Sequence, residues 1–570
     1  MKYQNIYSLF REQTAKYKDR PAFFTRREME PSVPPPVAGG AMQPQRAEAW
    51  RPTTWREFED KVHLAACALL AKGLTKGASV AILAGNVPEW TIVDIAAIGA
   101  GGVGVGIYPT SSPEQCEYII NHSDAEFVFV VSAAQFDKLR SIDCPKVREI
   151  IVGDSAGIPD TLATARVSAW NDFLDVGKDQ GELLEKVEQI RFDADPEDIA
   201  IMVYTSGTTG QPKGAMLSHR YILNSVESLR RSVPIFDTDV TLSYLPGCHV
   251  AERISGIYNR LYNGTSAYFV DDLSRLYEYM LEVRPTVFAS LPRFFEKIHA
   301  AIVAKHGTND VDPKVVKDAF GGRIRLLTSG GAPLPAKIAQ FFADAGVPIL
   351  QAYGLTENIC VAFNRENDFK FGTVGKPMPM CELKIADNGE ILVKSPMMYS
   401  GYYKEPERTA EMFDEEGWLK TGDLGELDED GFLKITGRKK EIIVLSSGKN
   451  VAPALMENLV KESHLISHCF VYGDGRSYCV ALITLNKAET GTSESYEELA
   501  RSPEMREVVE SIVAKANARV SSSEQIKRFA IMTRDFSPEF DEVTPTLKLK
   551  RSVVAKNFTQ VLEKLYEDQR

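Results

Sequence analysis

The sequence predicts an α/β fold: a large N-terminal domain of parallel-rich sheets flanked by helices, followed by a small α+β domain. Three observations point there. The chain has 570 residues, well past the roughly 250–300 at which a single core stops growing. Strand-like apolar runs alternate with helical ones along most of its length. Near residue 440 the texture changes. In order, "MKYQNIYSLFREQTAKYKDR" alternates charged and apolar residues as a surface helix does, and the Pro/Gly/Ala-rich "EPSVPPPVAGGAMQPQ" is a loop excursion. "ASVAILA", "PEWTIVDIAAIGA" and "GVGVGIY" read as strand, helix, strand, and "AEFVFVV", "RIRLLTSGG" and "PILQAYG" add buried strands. Beyond the boundary, "HCFVYGDGRSYCVALITLN" reads as a hairpin and "EMREVVESIVAKANARV" as a helix packed on it.

Composition narrows the function classes. A net charge of −12 and a pI near 5.4 argue against nucleic acid as the main partner. The eight cysteines form no C-x-x-C pair and no regular spacing, so a zinc ribbon or disulfide framework is not expected and a reducing compartment is. No apolar signal core opens the chain, and "TIVDIAAIGAGGVGVGIYP" is broken by Asp94, several glycines and Pro109, so no transmembrane segment is expected.

The loop "YTSGTTGQPKG" at 204–214 carries the first chemical signal. Its glycines let backbone amides approach a ligand, and Thr205, Ser206, Thr208 and Thr209 add hydroxyl donors beside Gly207 and Gly210, with Lys213 at the end. This suits an anion. It is not the common nucleoside-triphosphatase loop, which needs Gly-Lys-Ser/Thr where this chain has Gln211-Pro212-Lys213-Gly214. With "DIAIMVY" before it and the helical "SHRYILNSVESLRRSV" after it, the loop is expected at a strand-to-helix junction. A solvated turn has the same composition, so the loop alone leaves both readings open.

The order of later motifs resolves the choice. "SGGAP" at 329–333, "QAYGLTEN" at 351–358, "WLKTGDLG" at 418–425, "ITGRKKEI" at 435–442 and "TPTLKLKR" at 544–551 follow the loop in sequence. Together they resemble the adenylate-forming superfamily of acyl-CoA synthetases, luciferases and peptide-synthetase adenylation domains, over nearly the whole chain. "GWLKTGDLGELDEDGFLKITGRKKEII" and "GKNVAP" are most similar to bacterial long-chain fatty acyl-CoA ligases. The resemblance implies an adenylation domain at 1–437, a hinge at 438–440 and a mobile C-terminal domain at 441–570.

It also implies a reaction. A carboxylate is a poor acyl donor, so it is first converted with ATP to an acyl adenylate, expelling pyrophosphate; a thiol, here CoA, then takes the acyl group. By resemblance the loop and Lys213 hold the β and γ phosphates, Thr356 reaches the α-phosphate, and Glu357 supplies a hard oxygen to Mg²⁺. Gly331, Ala332 and Tyr353 line the adenine slot, with Gly354 also among the cofactor-binding residues; Asp423 accepts from the ribose hydroxyls, with Arg438 approaching the same sugar. Lys548 matches the C-terminal lysine that bridges the attacking carboxylate and the nucleotide, with Lys550 as competitor because Leu547 stands where relatives have a small residue. Lys440 is the implied hinge residue, and Gly448 the glycine that faces a pantetheine tunnel once the domain has turned.

Histidines and cysteines divide. His464 and His468 are four apart, which could chelate zinc on a helix, but no third ligand is evident and packing roles are favoured. His249 in "YLPGCHVAER" falls where relatives often carry a histidine or aromatic residue beside the acyl carboxylate; Cys248 reads as a buried small hydrophobe. Relatives that activate amino acids place an aspartate here, so an ammonium group is not expected, and the apolar "ISGIYNRLYNGTSAYFV" is consistent with either a hydrocarbon pocket or ordinary core. The expected partners are thus a medium- to long-chain fatty acid, ATP and CoA, in the cytoplasm or peripheral to the inner membrane face. Oligomeric state, monomer or homodimer, stays open. Rivals are a fatty acyl-AMP ligase that loads a carrier protein, disfavoured by the compact stretch between Glu357 and Asp423, and a CoA ligase for another apolar or aromatic acid.

Overall fold

The computed structural model describes residues 2–26, 49–154, 157–205, 211–544 and 548–567; the Pro/Gly/Ala-rich excursion lies outside them. The largest sheet has eight strands, in the order Lys213–Ser218, Ile199–Thr205, Val103–Ile107, Ser79–Leu83, Ala125–Val130, Glu149–Val152, Ala165–Ala169, Thr161–Leu162. Its six inner strands run parallel and each edge strand is antiparallel to its neighbour. The continuous apolar runs follow from this. Ser79–Leu83 is buried at every position because helices Trp55–Ala71 and Pro88–Gly99 cover one face of the sheet and Pro113–His122 and Ala133–Leu139 the other.

Two glycines of Val103–Ile107 have a packing cause. A Cβ at Gly104 would strike the Asp94 carboxylate and the Arg253 guanidinium, and one at Gly106 would lie 2.6 Å from Cys248 Cα. The strand surface is thus bare where a buried ion pair and the loop before residues 251–258 press onto it. That segment, Ala251–Tyr258, is a π-helix, a form that clusters at functional sites. Ile254, Ile257, Tyr258 and Leu261 are all buried in the main hydrophobic cluster.

A second sheet sets parallel strands Val287–Ser290, Leu326–Ser329 and Ile349–Leu355 beside antiparallel Asn358–Phe363 and Lys376–Pro377. A four-stranded sheet joins Val240–Ser243, Ser266–Phe269, Pro21–Arg26 and Trp50–Thr54, and a four-stranded antiparallel sheet runs from Glu382–Ile385 to Leu433–Arg438. After the 3₁₀ turn Lys439–Glu441 the chain builds a hairpin, Ile443–Val444 with Asn450–Val451, and a three-stranded sheet of Ile466–Tyr472, Cys479–Leu485 and Ile526–Ile531. The two hydrophobic clusters of this last part draw their residues only from position 443 onward.

One expectation is corrected. The loop after Thr205 does not lead into a helix. The stretch Lys213–Ser218 returns as an antiparallel edge strand, with Lys213 opposite Thr205, and only then does helix His219–Ser232 begin, capped by the Ser218 side chain accepting from the Tyr221 N–H. The residues "KGAMLS" are too short and mixed to announce a strand; cross-strand pairing supplies what their own pattern lacks.

Candidate active site

The hairpin between Ile349–Leu355 and Asn358–Phe363 turns on Thr356 and Glu357. Gly354 makes it possible, since a Cβ there would run into the Ile359 carbonyl oxygen. The turn is then clamped. The buried Tyr221 hydroxyl donates to Thr356 O at 2.9 Å and accepts from the Ile359 N–H at 3.1 Å. Tyr399 N–H donates to Glu357 O at 2.9 Å, and the Tyr402 hydroxyl donates to Glu357 Oε1.

Lys213 faces this turn from the edge of the large sheet. Its ammonium sits 4.8 Å from the Tyr402 ring centroid. Burial lowers its pKa, reinforced by Arg408 and Lys440 and opposed by Glu405 and Glu357. Thr205 is half-buried opposite it. Ser206, Gly207, Thr208, Thr209 and Gly210 lie outside the described residues.

A second cluster forms where Leu419–Leu427 and Leu433–Arg438 pair, because their register sets Asp423 directly opposite Arg438. Arg438 Nε lies 3.0 Å from Asp423 Oδ1, and the Tyr353 hydroxyl donates to Asp423 Oδ2 at 2.6 Å. Burial, then the adjacent Asp423 charge, holds the Tyr353 phenol well above its ordinary pKa. Gly331 and Ala332 are exposed just beyond the carboxyl end of Leu326–Ser329, with Gly331 at φ 79°. They stand at the carboxyl edge of parallel strands, where ligands of open α/β sheets bind.

Lys548 comes from the C-terminal part. Thr544 N–H donates to Lys548 O at 2.8 Å, and Lys548 N–H donates back to Thr544 Oγ1 at 3.1 Å. Although the residue is exposed, partial desolvation of its ammonium lowers its pKa, helped by Arg438 and opposed by Asp423 and Glu441. Its charge also reaches His249, whose pKa is depressed to about 4, chiefly by burial and secondly by Lys548. Lys550, the competitor, is instead paired with Asp541.

His249 precedes the π-helix and accepts the Ala251 N–H on Nδ1 at 3.1 Å. Gly247 is required by the Trp90 indole, which would lie 2.8 Å from an added Cβ. Cys248 is fully buried, its thiol pKa raised by desolvation. Behind them lies a network that sequence reasoning missed. Asp94 accepts from Arg253 and from the Tyr258 hydroxyl, the latter at 2.7 Å, and Arg253 stacks 5.0 Å from the Trp90 ring centroid. Glu252 pairs with Arg260 at 2.6 Å. Nothing in "VAERIS" marks either charge as buried. Tyr402 and Tyr221 were also missed; the aromatic run "YSGYYKEP" was the available signal for the first.

Lys213 thus stands by the Thr356–Glu357 turn, Tyr353 joins the Asp423–Arg438 pair, and Lys548 is near enough for its charge to reach Arg438, Asp423 and His249. Lys440, exposed in its 3₁₀ turn, is near enough for its charge to reach Lys213. Gly448 stands apart, in a C-terminal turn at φ 77° with no atom near an added Cβ. His468 is on a strand, not a helix, and its Nδ1 lies 2.9 Å from Asp535 Oδ1. Among the described residues no three His, Cys, Asp or Glu side chains converge on a metal position. A single carboxylate such as Glu357 still fits magnesium, which is held by one or two carboxylates together with substrate phosphates. No helix among the described residues is long and apolar enough to cross a membrane.

Comparison with known proteins gives the context. Residues 10–403 match the AMP-binding enzymes and residues 440–570 the AMP-binding enzyme C-terminal domain. The long-chain-fatty-acid–CoA ligase FadD15 of Mycobacterium tuberculosis is 34% identical, covering 91% of this chain and 92% of its own. The peroxisomal long chain acyl-CoA synthetase 6 of Arabidopsis thaliana is 30% identical over 88% of this chain and 79% of its own. Among solved structures, the A domain of a carboxylic acid reductase from Segniliparus rugosus, in complex with AMP, superposes with a TM-score of 0.80 at 22% identity, covering 99% of this chain and 94% of that one.

Proposed function

The chain belongs to the AMP-binding enzyme family, and from that premise we propose that it is an AMP-forming acid–thiol ligase. It activates a medium- to long-chain fatty acid with ATP and passes the acyl group to CoA. Supporting the substrate class are relatives named as long-chain fatty acid ligases across nearly the whole chain. The observation that carries the mechanism is that Lys548, from the C-terminal part, comes near enough for its charge to reach His249 and the Asp423–Arg438 pair.

In the first step a carboxylate oxygen of the acid attacks the α-phosphorus of ATP, the bond to the β-phosphate oxygen breaks, and pyrophosphate leaves with the electron pair. Lys548 bridges the attacking carboxylate and the α-phosphate as negative charge builds there. Lys213 and the 205–210 loop hold the β and γ phosphates, and Thr356 donates to the α-phosphate. Glu357 would hold magnesium, which when bound neutralises phosphate charge. Gly331, Ala332 and Tyr353 seat the adenine, next to Gly354. Asp423 accepts from the ribose hydroxyls, and the Arg438 and Tyr353 contacts hold its carboxylate in place. His249 is neutral at physiological pH and lies beside the acid without adding charge.

In the second step the CoA thiol, losing its proton, attacks the acyl carbonyl and AMP leaves. Lys548 belongs to the first step only, so residues 441–570 turn about a hinge at 438–440, centred on Lys440, and bring Gly448 against the pantetheine arm. The separate cores on either side of residue 443 support such a rigid-body turn. The test is a panel of carboxylic acids at equal concentration, scored first for ATP-dependent pyrophosphate release and then for CoA thioester. The reading predicts that kcat/KM climbs from acetate through octanoate to laurate or palmitate, each buried methylene adding about 0.8 kcal/mol until the pocket ends. A preference for acetate, an aromatic acid or an amino acid overturns the substrate; pyrophosphate release without thioester overturns the acceptor.

A further inference from the structure

We propose that Tyr402 is a positioning residue that joins the phosphate-loop lysine to the magnesium-binding turn, its hydroxyl fixing the Glu357 carboxylate while its ring carries the Lys213 ammonium. The proposal rests on the reading that Lys213 holds phosphates and Glu357 magnesium.

Tyr402 is 5% exposed and its ring faces two opposite charges at once. Its hydroxyl donates to Glu357 Oε1, and Lys213 Nζ lies 4.8 Å from its ring centroid. A phenol that donates to a carboxylate becomes more electron-rich, so the two contacts reinforce each other. The chemical consequence is separation. An ammonium and a carboxylate free to touch would collapse into an ion pair, leaving less of either for phosphate and metal. With the aromatic ring between them, Lys213 stays available to phosphate oxygens and Glu357 keeps its second oxygen for a cation.

The backbone shows that this placement is built in. Residues 400–403 run along the exposed side of the Lys213–Ser218 strand, with Met216 N–H to Gly401 O at 2.9 Å, Ser400 N–H to Met216 O at 2.9 Å and Tyr403 N–H to Gly214 O at 2.8 Å. The strand that carries Lys213 thereby also carries Tyr402. Gly401, at φ 110°, makes the bend that turns Tyr402 inward, and Tyr402 N–H donates to Thr409 Oγ1 at 2.9 Å. Tyr399, packed edge-on against the Tyr402 ring at 4.9 Å, holds the Glu357 carbonyl as well. One short segment thus fixes both the backbone and the side chain of Glu357.

Two variants of the full chain separate the two contacts. Tyr402→Phe keeps the ring and loses the hydroxyl; Tyr402→Leu loses both. Calorimetric titration with ATP, with magnesium and with EDTA, reads binding without turnover, and pyrophosphate exchange reads the chemical step. With EDTA, Tyr402→Phe is expected to bind ATP as wild type does, and Tyr402→Leu more weakly. The magnesium-dependent gain in affinity falls in both, and kcat of exchange in Tyr402→Phe drops about 10- to 100-fold, as for loss of a hydrogen bond to a charged group, with KM for the fatty acid unchanged. A Tyr402 of merely structural worth would lower the melting temperature and leave the magnesium-dependent gain and the kcat of Tyr402→Phe at wild-type values, which overturns the proposal. Glu357→Gln is the separate arm. If it keeps the full magnesium gain, the underlying metal assignment fails; if it loses the gain while Tyr402→Phe keeps it, only the positioning role fails.

Discussion

Replacing Arg253 by Met tests how the floor behind His249 is held. Both side chains of the Asp94–Arg253 pair are 0% exposed, so neither charge is hydrated. Met keeps roughly the length of Arg and removes its charge and donors. Asp94 then retains one hydrogen bond, from the Tyr258 hydroxyl, in place of the two further bonds Arg253 supplied. A buried charge stripped of its partner costs about 3–5 kcal/mol, whereas removing both charges together is close to neutral. Arg253→Met should therefore destabilise the N-terminal domain by about 3–5 kcal/mol, and Asp94→Leu/Arg253→Met should recover about half of that, leaving about 2 kcal/mol for the orphaned Tyr258 hydroxyl. Urea unfolding followed by tryptophan fluorescence is the assay, since Trp90 stacks on Arg253 and reports its loss directly. A single variant within 1 kcal/mol of wild type, or a double variant no better than the single, would refute the account of a dry, mutually dependent pair; that threshold is roughly the worth of an exposed ion pair.

Two more outcomes follow from local geometry. His219 is buried and its pKa is held near 4 by desolvation. A folded-state pKa below the ordinary value means the unfolded chain takes up the proton first as pH falls. The stability this group contributes is full above the unfolded pKa of about 6.5 and is lost toward pH 4, on the order of 2 kcal/mol by pH 5. The melting temperature of His219→Gln should accordingly fall less between pH 7.5 and 5 than that of wild type; equal slopes would contradict the assignment. Gly448→Leu forces a side chain into a left-handed turn, costing about 1–2 kcal/mol locally, and should block thioester formation while leaving pyrophosphate exchange intact. Normal thioester formation would remove Gly448 from the CoA path.

The sequence and the structure agree most where the signal is local. The run "ASVAILA" is apolar because both faces of its strand are covered, and that can be read without seeing the cover. Motif order likewise singled out Asp423 and Arg438 as candidates, and the strand register that sets them opposite each other is displayed only by the fold. What stayed hidden depends on distant partners. Asp94 and Arg253 are 159 residues apart, and each alone looks like a surface charge. Gly104 and Gly106 read as interruptions of an apolar run until Asp94, Arg253 and Cys248 are seen against them. Lys213–Ser218 is a strand because Ile199–Thr205 lies beside it, and Tyr402 matters because that same edge brings it over Lys213 to Glu357. Choosing Lys548 over Lys550 shows the same limit. The sequence favours Lys548 by its place in the motif but leaves Lys550 as a competitor; the fold adds that Lys550 is paired with Asp541 while the charge of Lys548 reaches Arg438, Asp423 and His249.

The central claim is that one lysine, delivered by the C-terminal part, completes the adenylation site and has no share in thioester formation. The direct measurement compares Lys548→Ala with wild type in the separated half-reactions: pyrophosphate exchange from fatty acid and ATP, and thioester formation from supplied acyl adenylate and CoA. The account predicts a loss of about 10²- to 10³-fold in the first, as for removal of a charge-stabilising group at the transition state, and wild-type rates in the second, with Lys550→Ala near wild type in both. Equal losses in both half-reactions, or a larger loss for Lys550→Ala than for Lys548→Ala, would contradict it.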